Sequence, residues 1–178
     1  MGNFKEDIAC VEAFVFDVDG VMTDGGIIPT PDGDFIRKYY AKDGYALACA
    51  IREGYKICVI SGGRGEMLRR RLEMLGIEYI YLNCMDKIAA INEFMQTQNL
   101  DPQNVIYMGD DIPDLECMRL VGIPVCPADA CMEVIEASRY VSEYDGGHGA
   151  VRDIVEQVLR AQNRWAKNSK GVLGVASR

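Results

Sequence analysis

Short runs of uninterrupted apolar residues alternate along the chain with longer stretches in which apolar positions recur three and four apart. VEAFVF (11–16), YKICVI (55–60), YIYL (79–82), VIYMG (105–109), IPVCP (123–127) and YVS (140–142) are of the first kind, the pattern of strands buried on both faces. The second kind predicts helices over 45–54, 65–76, 86–98, 114–122, 131–138 and 149–165. Met67, Leu68, Leu72 and Leu75 share one stripe, Ile88, Ile91 and Met95 another, and Val151, Ile154, Val155, Val158 and Leu159 a third. Asp43 stands where the first of these helices would be capped, and Gly54 and Gly76 where helices would stop. Strands alternating with helices predict an α/β fold with a doubly wound, Rossmann-like parallel sheet. With no internal repeat and no dividing linker, residues 1–166 are expected to form a single domain and 167–178 a flexible tail.

One segment breaks the alternation. GGIIPTPDGDFIRKYY (25–40) carries Asp32-Gly33, a hairpin-turn dipeptide, between two β-prone runs, and its Pro29 and Pro31 do not suit a central strand. It predicts a projecting β-hairpin. Ile27, Ile28, Phe35 and Ile36 would make that hairpin apolar, so the chain is expected to self-associate through it.

Composition narrows the function. With 49% hydrophobic and 26% charged residues, the 178-residue chain is of ordinary globular type. A net charge of −8 argues against a general nucleic-acid binder. It leaves room for a small anionic substrate, since a metal and a few local cations override the global sign. No run reaches membrane-spanning length, and MGNFKEDIACVEAF has no apolar signal-peptide core. The seven cysteines form no CxxC pair, and Cys58 and Cys126 lie inside apolar runs; they are expected to be reduced, in a cytoplasmic protein.

Ligands of doubly wound sheets gather at the carboxyl ends of the strands. The first strand is followed by Asp17 and Asp19, two apart and so on one side of an extended chain, and then by Gly20, which permits a sharp turn. Asp24, past that turn, is expected to orient the mouth of the hairpin. Two such carboxylates repel unless a cation compensates, and Mg²⁺ suits oxygen ligands of this kind. The second strand leads into SGGRGE, where Ser61 offers a hydroxyl, Gly62 and Gly63 offer close backbone approach, and the next helix offers its positive end. The third leads to Lys87 at the start of a helix, where a cation opposes the macrodipole unless an anion is near. The fourth leads to GDDIPD, with Asp110, Asp111 and Asp114; helix capping explains Asp111 or Asp114 but not all three. Two acidic clusters, a hydroxyl with a glycine nest and a lysine on one rim are the apparatus of metal-assisted phosphoryl transfer. His148, in GGHG, is expected to face substrate or solvent on a glycine hinge rather than to catalyse, and Arg69–Arg71 to be a solvated helix face.

Taken in order over residues 11–125, FDVDGVMTD, Ser61, Lys87 and GDDIPD resemble the motifs of the haloacid dehalogenase superfamily of phosphatases. That resemblance implies Asp17 as the nucleophile that becomes an aspartyl-phosphate, and Asp19 as general acid and then base. It implies Ser61, Gly62 and Lys87 as holders of the phosphoryl oxygens. Asp17, the backbone carbonyl of Asp19, and Asp110 would bind Mg²⁺, with Asp111 and Asp114 in support. The intervals from Asp17 to Ser61 and from Ser61 to Lys87 have no room for a cap domain, so a capless form of the fold is expected. Within the superfamily, the hairpin, KDGYAL and DGGHGAVRDIVEQVL resemble the small tetrameric sugar-acid phosphatases. In those proteins hairpins associate between subunits, and the glycine-rich segment can fold over a neighbour's site. A homotetramer is therefore implied, with 3-deoxy-D-manno-octulosonate 8-phosphate as substrate, in lipopolysaccharide precursor synthesis. A nine-carbon, sialic-type sugar-acid 9-phosphate is the alternative. The remaining one, a catalytically silent assembly module, is disfavoured by the intact Asp17, Asp19, Lys87 and Asp110. Arg64, with Gly63, is the expected contact for the sugar-acid carboxylate, although SGGRGE has two glycines before the arginine where many relatives have one.

Overall fold

The computed structural model describes residues 4–166. The chain opens with α1 (Phe4–Asp7), β1 (Ala13–Phe16), β2 (Ile28–Pro29), β3 (Phe35–Ile36) and α2 (Ala41–Arg52). It continues through β4 (Lys56–Ile60), α3 (Glu66–Met74), β5 (Tyr79–Tyr81), α4 (Lys87–Thr97) and β6 (Val105–Met108). It ends with α5 (Leu115–Met118), β7 (Ile123–Cys126), α6 (Met132–Ala137), β8 (Tyr140–Val141) and α7 (Ala150–Ala161). The six apolar runs pair in parallel in the order β5-β4-β1-β6-β7-β8.

Alternation along β1 builds two cores. Phe14 and Phe16 pack on one face with Leu47 of α2, Leu68 and Leu72 of α3, and Ile154, Val155 and Val158 of α7. Ala13 and Val15 pack on the other with Ile91 and Phe94 of α4, Met118 of α5 and Val134 of α6. The chain runs outward from β1 through β4 to β5, then returns to β6 on the other side of β1. The order therefore reverses between β1 and β6, which places the ligand crevice at their carboxyl ends.

Several expectations change. The helix expected at 45–54 begins at Ala41, with Tyr40 at its N-cap position. Asp43 is therefore not a cap: it is buried in the first turn, and its Oδ1 accepts the Arg152 N–H at 2.9 Å, tying α2 to α7. The helix expected at 114–122 is a 3₁₀ turn, Ile112–Asp114, followed by the single turn of α5. Past it, Gly122 packs on the neighbouring loop, its N–H on the Pro102 carbonyl at 2.8 Å, where a Cβ would lie 2.5 Å from the Gln103 carbonyl oxygen. Met67 and Ile88 are exposed, since the buried stripes are Leu68 with Leu72 and Ala90–Ile91 with Phe94–Met95. α1 is too short to show a period in sequence; Phe4 stacks on Tyr140 with ring centroids 4.5 Å apart. The tail expected at 167–178 lies outside the described residues.

The hairpin forms as β2 and β3, antiparallel, with Ile28 opposite Ile36 and a turn in which Gly33 takes φ +85°. Ile27, Ile28 and Ile36 are exposed, Ile28 by 61%. All seven cysteines are free, and Cys49, Cys58, Cys117 and Cys126 are buried as small hydrophobes. Among the described residues no helix is long and apolar enough to cross a membrane.

Candidate active site

The site begins where β1 leaves the sheet. Asp17 stays in register through its N–H on the Met108 carbonyl at 3.1 Å, then turns its carboxylate over the rim. Asp17 Oδ1 accepts the Val18 N–H at 2.7 Å and Oδ2 accepts Lys87 Nζ at 2.8 Å. The N–H groups of Val21, Met22 and Thr23 all converge on the Val18 carbonyl, which curls the loop tightly. Gly20 makes this possible with φ +87°; a Cβ there would lie 2.0 Å from Asp110 Oδ2. Asp24 accepts from Gly26 N–H and Lys38 Nζ, orienting the hairpin mouth as expected.

Lys87 is the first residue of α4, capped by Asp86, and its side chain is 10% exposed. Its ammonium lies 2.8 Å from Asp17 Oδ2 and 2.8 Å from Asp114 Oδ1, so two carboxylates offset its adverse place on the helix dipole. Asp114 is 1% exposed and fully engaged. Oδ1 also accepts the Tyr107 hydroxyl at 2.7 Å, and Oδ2 accepts the Asp110 N–H at 3.1 Å. Neither Asp111 nor Asp114 caps a helix with its side chain. Asp114 instead fixes Lys87 and the Asp110 backbone, while Asp111 is exposed beside them. Tyr107 reads in sequence as core; the one hint of its role is that a buried phenol requires a partner.

Burial, together with the Asp114 charge, pushes the Asp17 carboxyl up to about 6 despite Lys87. Burial, then Asp114, Asp17 and Asp111, pushes Asp110 up to about 7. Burial works against the Lys87 charge, but Asp17 and Asp114 overcome it and raise the ammonium above the ordinary lysine value. Asp17, Asp110 and Asp114 each offer a carboxylate oxygen, all within 4.8 Å of one another. Asp114 is saturated by its three donors, whereas no hydrogen bond to the Asp110 carboxylate is found among the described residues. A half-buried carboxylate without donors, facing a second one, has an all-oxygen environment that fits a hard divalent cation. The Asp19 side chain lies outside this group.

Asp19 turns instead toward the hairpin. Arg37 Nε donates to its Oδ1 at 2.7 Å and Arg37 Nη2 to its Oδ2 at 3.0 Å. No motif or periodicity marks this arginine, which lies 18 residues away on a different element.

Ser61 directly follows β4, buried, with its N–H on the Tyr81 carbonyl and its Oγ accepting the Gly63 N–H at 3.0 Å. A Cβ built on Gly63 would lie 2.8 Å from Arg37 Nη2 and 3.1 Å from both Asp19 Oδ2 and Ser61 Oγ. Glycine thus keeps open the point where three functional groups meet. Gly62, Gly63, the exposed Arg64, Asp19, Arg37 and Asn83 line a cleft of about 420 Å³ beside it. One expected feature is otherwise employed. The N-terminus of α3 is already served by Asp34 of the hairpin, which accepts the Met67 N–H at 3.0 Å, so the helix end does not face an incoming anion. Arg69 and Arg70 pair with Glu73 and Glu66 on the surface, but Arg71 turns inward over the Tyr39 ring.

The GGHG segment differs from the hinge expected of it. Gly146 and Gly147 sit against the loop after β1: Gly147 N–H bonds the Val21 carbonyl at 3.0 Å, and a Cβ on Gly146 would lie 1.8 Å from the Gly20 carbonyl oxygen. These glycines are required by close backbone approach. They brace the loop after β1 within this chain. His148 is exposed, as expected, its Nδ1 2.9 Å from the Gly146 carbonyl.

A family model described as haloacid dehalogenase-like hydrolase matches residues 77–154. A 3-deoxy-D-manno-octulosonate 8-phosphate phosphatase from Yersinia pestis is 35% identical over 156 residues, covering 88% of this chain and 83% of that one. A Moraxella catarrhalis phosphatase of the same name, solved in complex with magnesium, phosphate and KDO, superposes with a TM-score of 0.85 at 31% identity, over 89% of this chain and 91% of that one. The cobalt-bound form of the Haemophilus influenzae deoxy-D-mannose-octulosonate 8-phosphate phosphatase gives 0.85 at 30% identity, over 88% and 92%.

Proposed function

Because the chain belongs to the haloacid dehalogenase-like hydrolases, we propose that it cleaves 3-deoxy-D-manno-octulosonate 8-phosphate into the free sugar acid and phosphate, the substrate named for its relatives. It is a phosphatase and works with a divalent metal. The observation that carries the reading is the Asp17–Lys87–Asp114 chain set against the donor-free carboxylate of Asp110.

In this reading Asp17 attacks phosphorus and becomes the aspartyl-phosphate. Lys87 neutralises Asp17 and takes a phosphoryl oxygen, held at its post by Asp114. Ser61 Oγ and the Gly62 backbone receive the other phosphoryl oxygens. Asp19 protonates the leaving alcohol, then removes a proton from the water that releases phosphate. A divalent cation, Mg²⁺ by preference, would be held by Asp17, Asp110 and the Asp19 carbonyl and would supply the charge neutralisation that lets a carboxylate approach a phosphate dianion. Asp111 adds negative charge behind Asp110. Arg64 and Gly63 border the cleft where the sugar-acid carboxylate would lie. The exposed isoleucines of the hairpin support assembly into a homotetramer, and seven free cysteines support a cytoplasmic setting. Residues 1–166 are taken as one catalytic domain.

The test is phosphate release from a panel of eight- and nine-carbon sugar-acid phosphates and unrelated phosphate esters, with Mg²⁺ or with chelator. The eight-carbon 8-phosphate should be turned over fastest, and only with metal. Equal turnover of all esters, or preference for the nine-carbon acid, overturns the substrate assignment.

A further inference from the structure

We propose that Arg37 is the positioning residue for leaving-group protonation: its guanidinium aims the Asp19 carboxyl at the ester oxygen, and through it the hairpin governs the first half-reaction. This rests on the phosphatase reading above.

Arg37 directly follows β3, and its side chain is only 3% exposed, against 24% for Asp19. Its placement comes from the hairpin's own anchor, where Asp34 accepts both the Phe35 N–H and the Met67 N–H of α3. The guanidinium is a rigid planar fork, so two hydrogen bonds fix the orientation of the carboxyl as well as its position. Nε and Nη2 make those bonds at 2.7 and 3.0 Å. Nη2 and Oδ2 are the clamp atoms nearest Gly63, 2.8 and 3.1 Å from where its Cβ would stand, and the Ser61 Oγ expected to hold phosphate is as near, at 3.1 Å.

An Asp17 oxygen bonds to phosphorus, the bond from phosphorus to the ester oxygen breaks, and the ester oxygen keeps the electron pair. That oxygen takes the proton from Asp19 Oδ2, leaving Asp19 as a carboxylate. The two-point pairing seen here, Nε on Oδ1 and Nη2 on Oδ2, is the one an ionised carboxylate accepts once the proton has gone to the ester oxygen. Arg37 thus keeps Oδ2 pointed at the leaving group and receives the ionised product of the transfer.

The test uses leaving-group dependence. An alkoxide requires the proton and p-nitrophenolate does not, and kcat/KM isolates the first half-reaction. Positioned proton transfer is worth about 100-fold or more, so Arg37→Ala should lower kcat/KM for the sugar-acid phosphate by about 10- to 100-fold. For p-nitrophenyl phosphate the loss should stay under about 3-fold, because no proton transfer is at stake. In an Asp19→Asn background, adding Arg37→Ala should cost nothing further on the sugar-acid phosphate. Equal losses on both esters, no loss on either, or additive losses with Asp19→Asn overturn the proposal. If thermal melting shows Arg37→Ala unfolded, Arg37→Lys, which keeps charge but not the fork, is judged on the same ratio of ester losses. Failure of the wild-type protein to release phosphate from either ester would instead sink the phosphatase reading itself.

Discussion

Acidifying the protein from pH 8 to pH 6 weakens Mg²⁺ binding by about 20-fold if Asp17 and Asp110 form its site. A metal takes only ionised carboxylates, so any proton bound there must first leave. With Asp17 titrating at about 6 and Asp110 at about 7, half of the first and nine-tenths of the second are protonated at pH 6. These lower the apparent affinity by factors of about 2 and about 11, whereas at pH 8 both factors are close to 1. The product corresponds to about 1.8 kcal/mol. Titration calorimetry in two buffers of different ionisation enthalpy reads the same quantity as protons: about 1.4 released per Mg²⁺ at pH 6, and about 0.1 at pH 8. Both groups titrate above the ordinary carboxylate value of 3.8, so between about pH 4 and pH 7 the folded state holds more protons than the unfolded one. Their contribution to metal-free stability is fully present below that window and lost as pH rises through it, and Mg²⁺ restores it at the upper end. The Asp110 share of it is read as the difference between wild type and Asp110→Asn in urea denaturation. Mg²⁺ affinity independent of pH, or no proton release at pH 6, would refute the reasoning.

Other variants separate structural from chemical roles. Gly63→Ala places a methyl group where Arg37 Nη2, Asp19 Oδ2 and Ser61 Oγ converge; kcat/KM should fall by about 10-fold or more while stability changes by less than about 1 kcal/mol, read by kinetics and urea denaturation. Lys87→Met leaves Asp17 and Asp114 facing each other without their cation. Metal-free protein at pH 8 should lose about 3–5 kcal/mol, and less at pH 5, where protons can neutralise the pair; an unchanged denaturation midpoint at pH 8 contradicts this. Ile28→Asp with Ile36→Asp places charge on the exposed hairpin face; light scattering should show tetramers for wild type and monomers for the variant.

The sheet was legible because each of its strands is a short apolar run and most of its crossings are periodic ones, the short passage from β6 to β7 excepted. The rim was legible for a related reason: a parallel sheet brings successive strand ends to one edge, so Asp17, Ser61, Lys87 and Asp110 could be placed together from order alone. Contacts that cross elements were not. Arg37 reaches Asp19 from the hairpin, and a single arginine in a hairpin has no periodic signature. Tyr107 looked like strand core because a phenol adds one polar atom to an otherwise apolar run. Asp114 looked like a helix cap, yet its oxygens serve Lys87, Tyr107 and Asp110. Gly146 and Gly147 suggested freedom, because glycine has the same letter whether it supplies flexibility or merely lacks a side chain where backbones touch.

The most direct test of the account is steady-state phosphate release from 3-deoxy-D-manno-octulosonate 8-phosphate by Asp17→Asn in saturating Mg²⁺. The substitution keeps shape and an acceptor for Lys87 but removes the attacking oxygen anion. A loss of at least about 1,000-fold in kcat, with cooperative melting and the wild-type oligomeric state retained, is predicted. Hydrolysis at the wild-type rate by the folded variant would contradict Asp17 as the nucleophile.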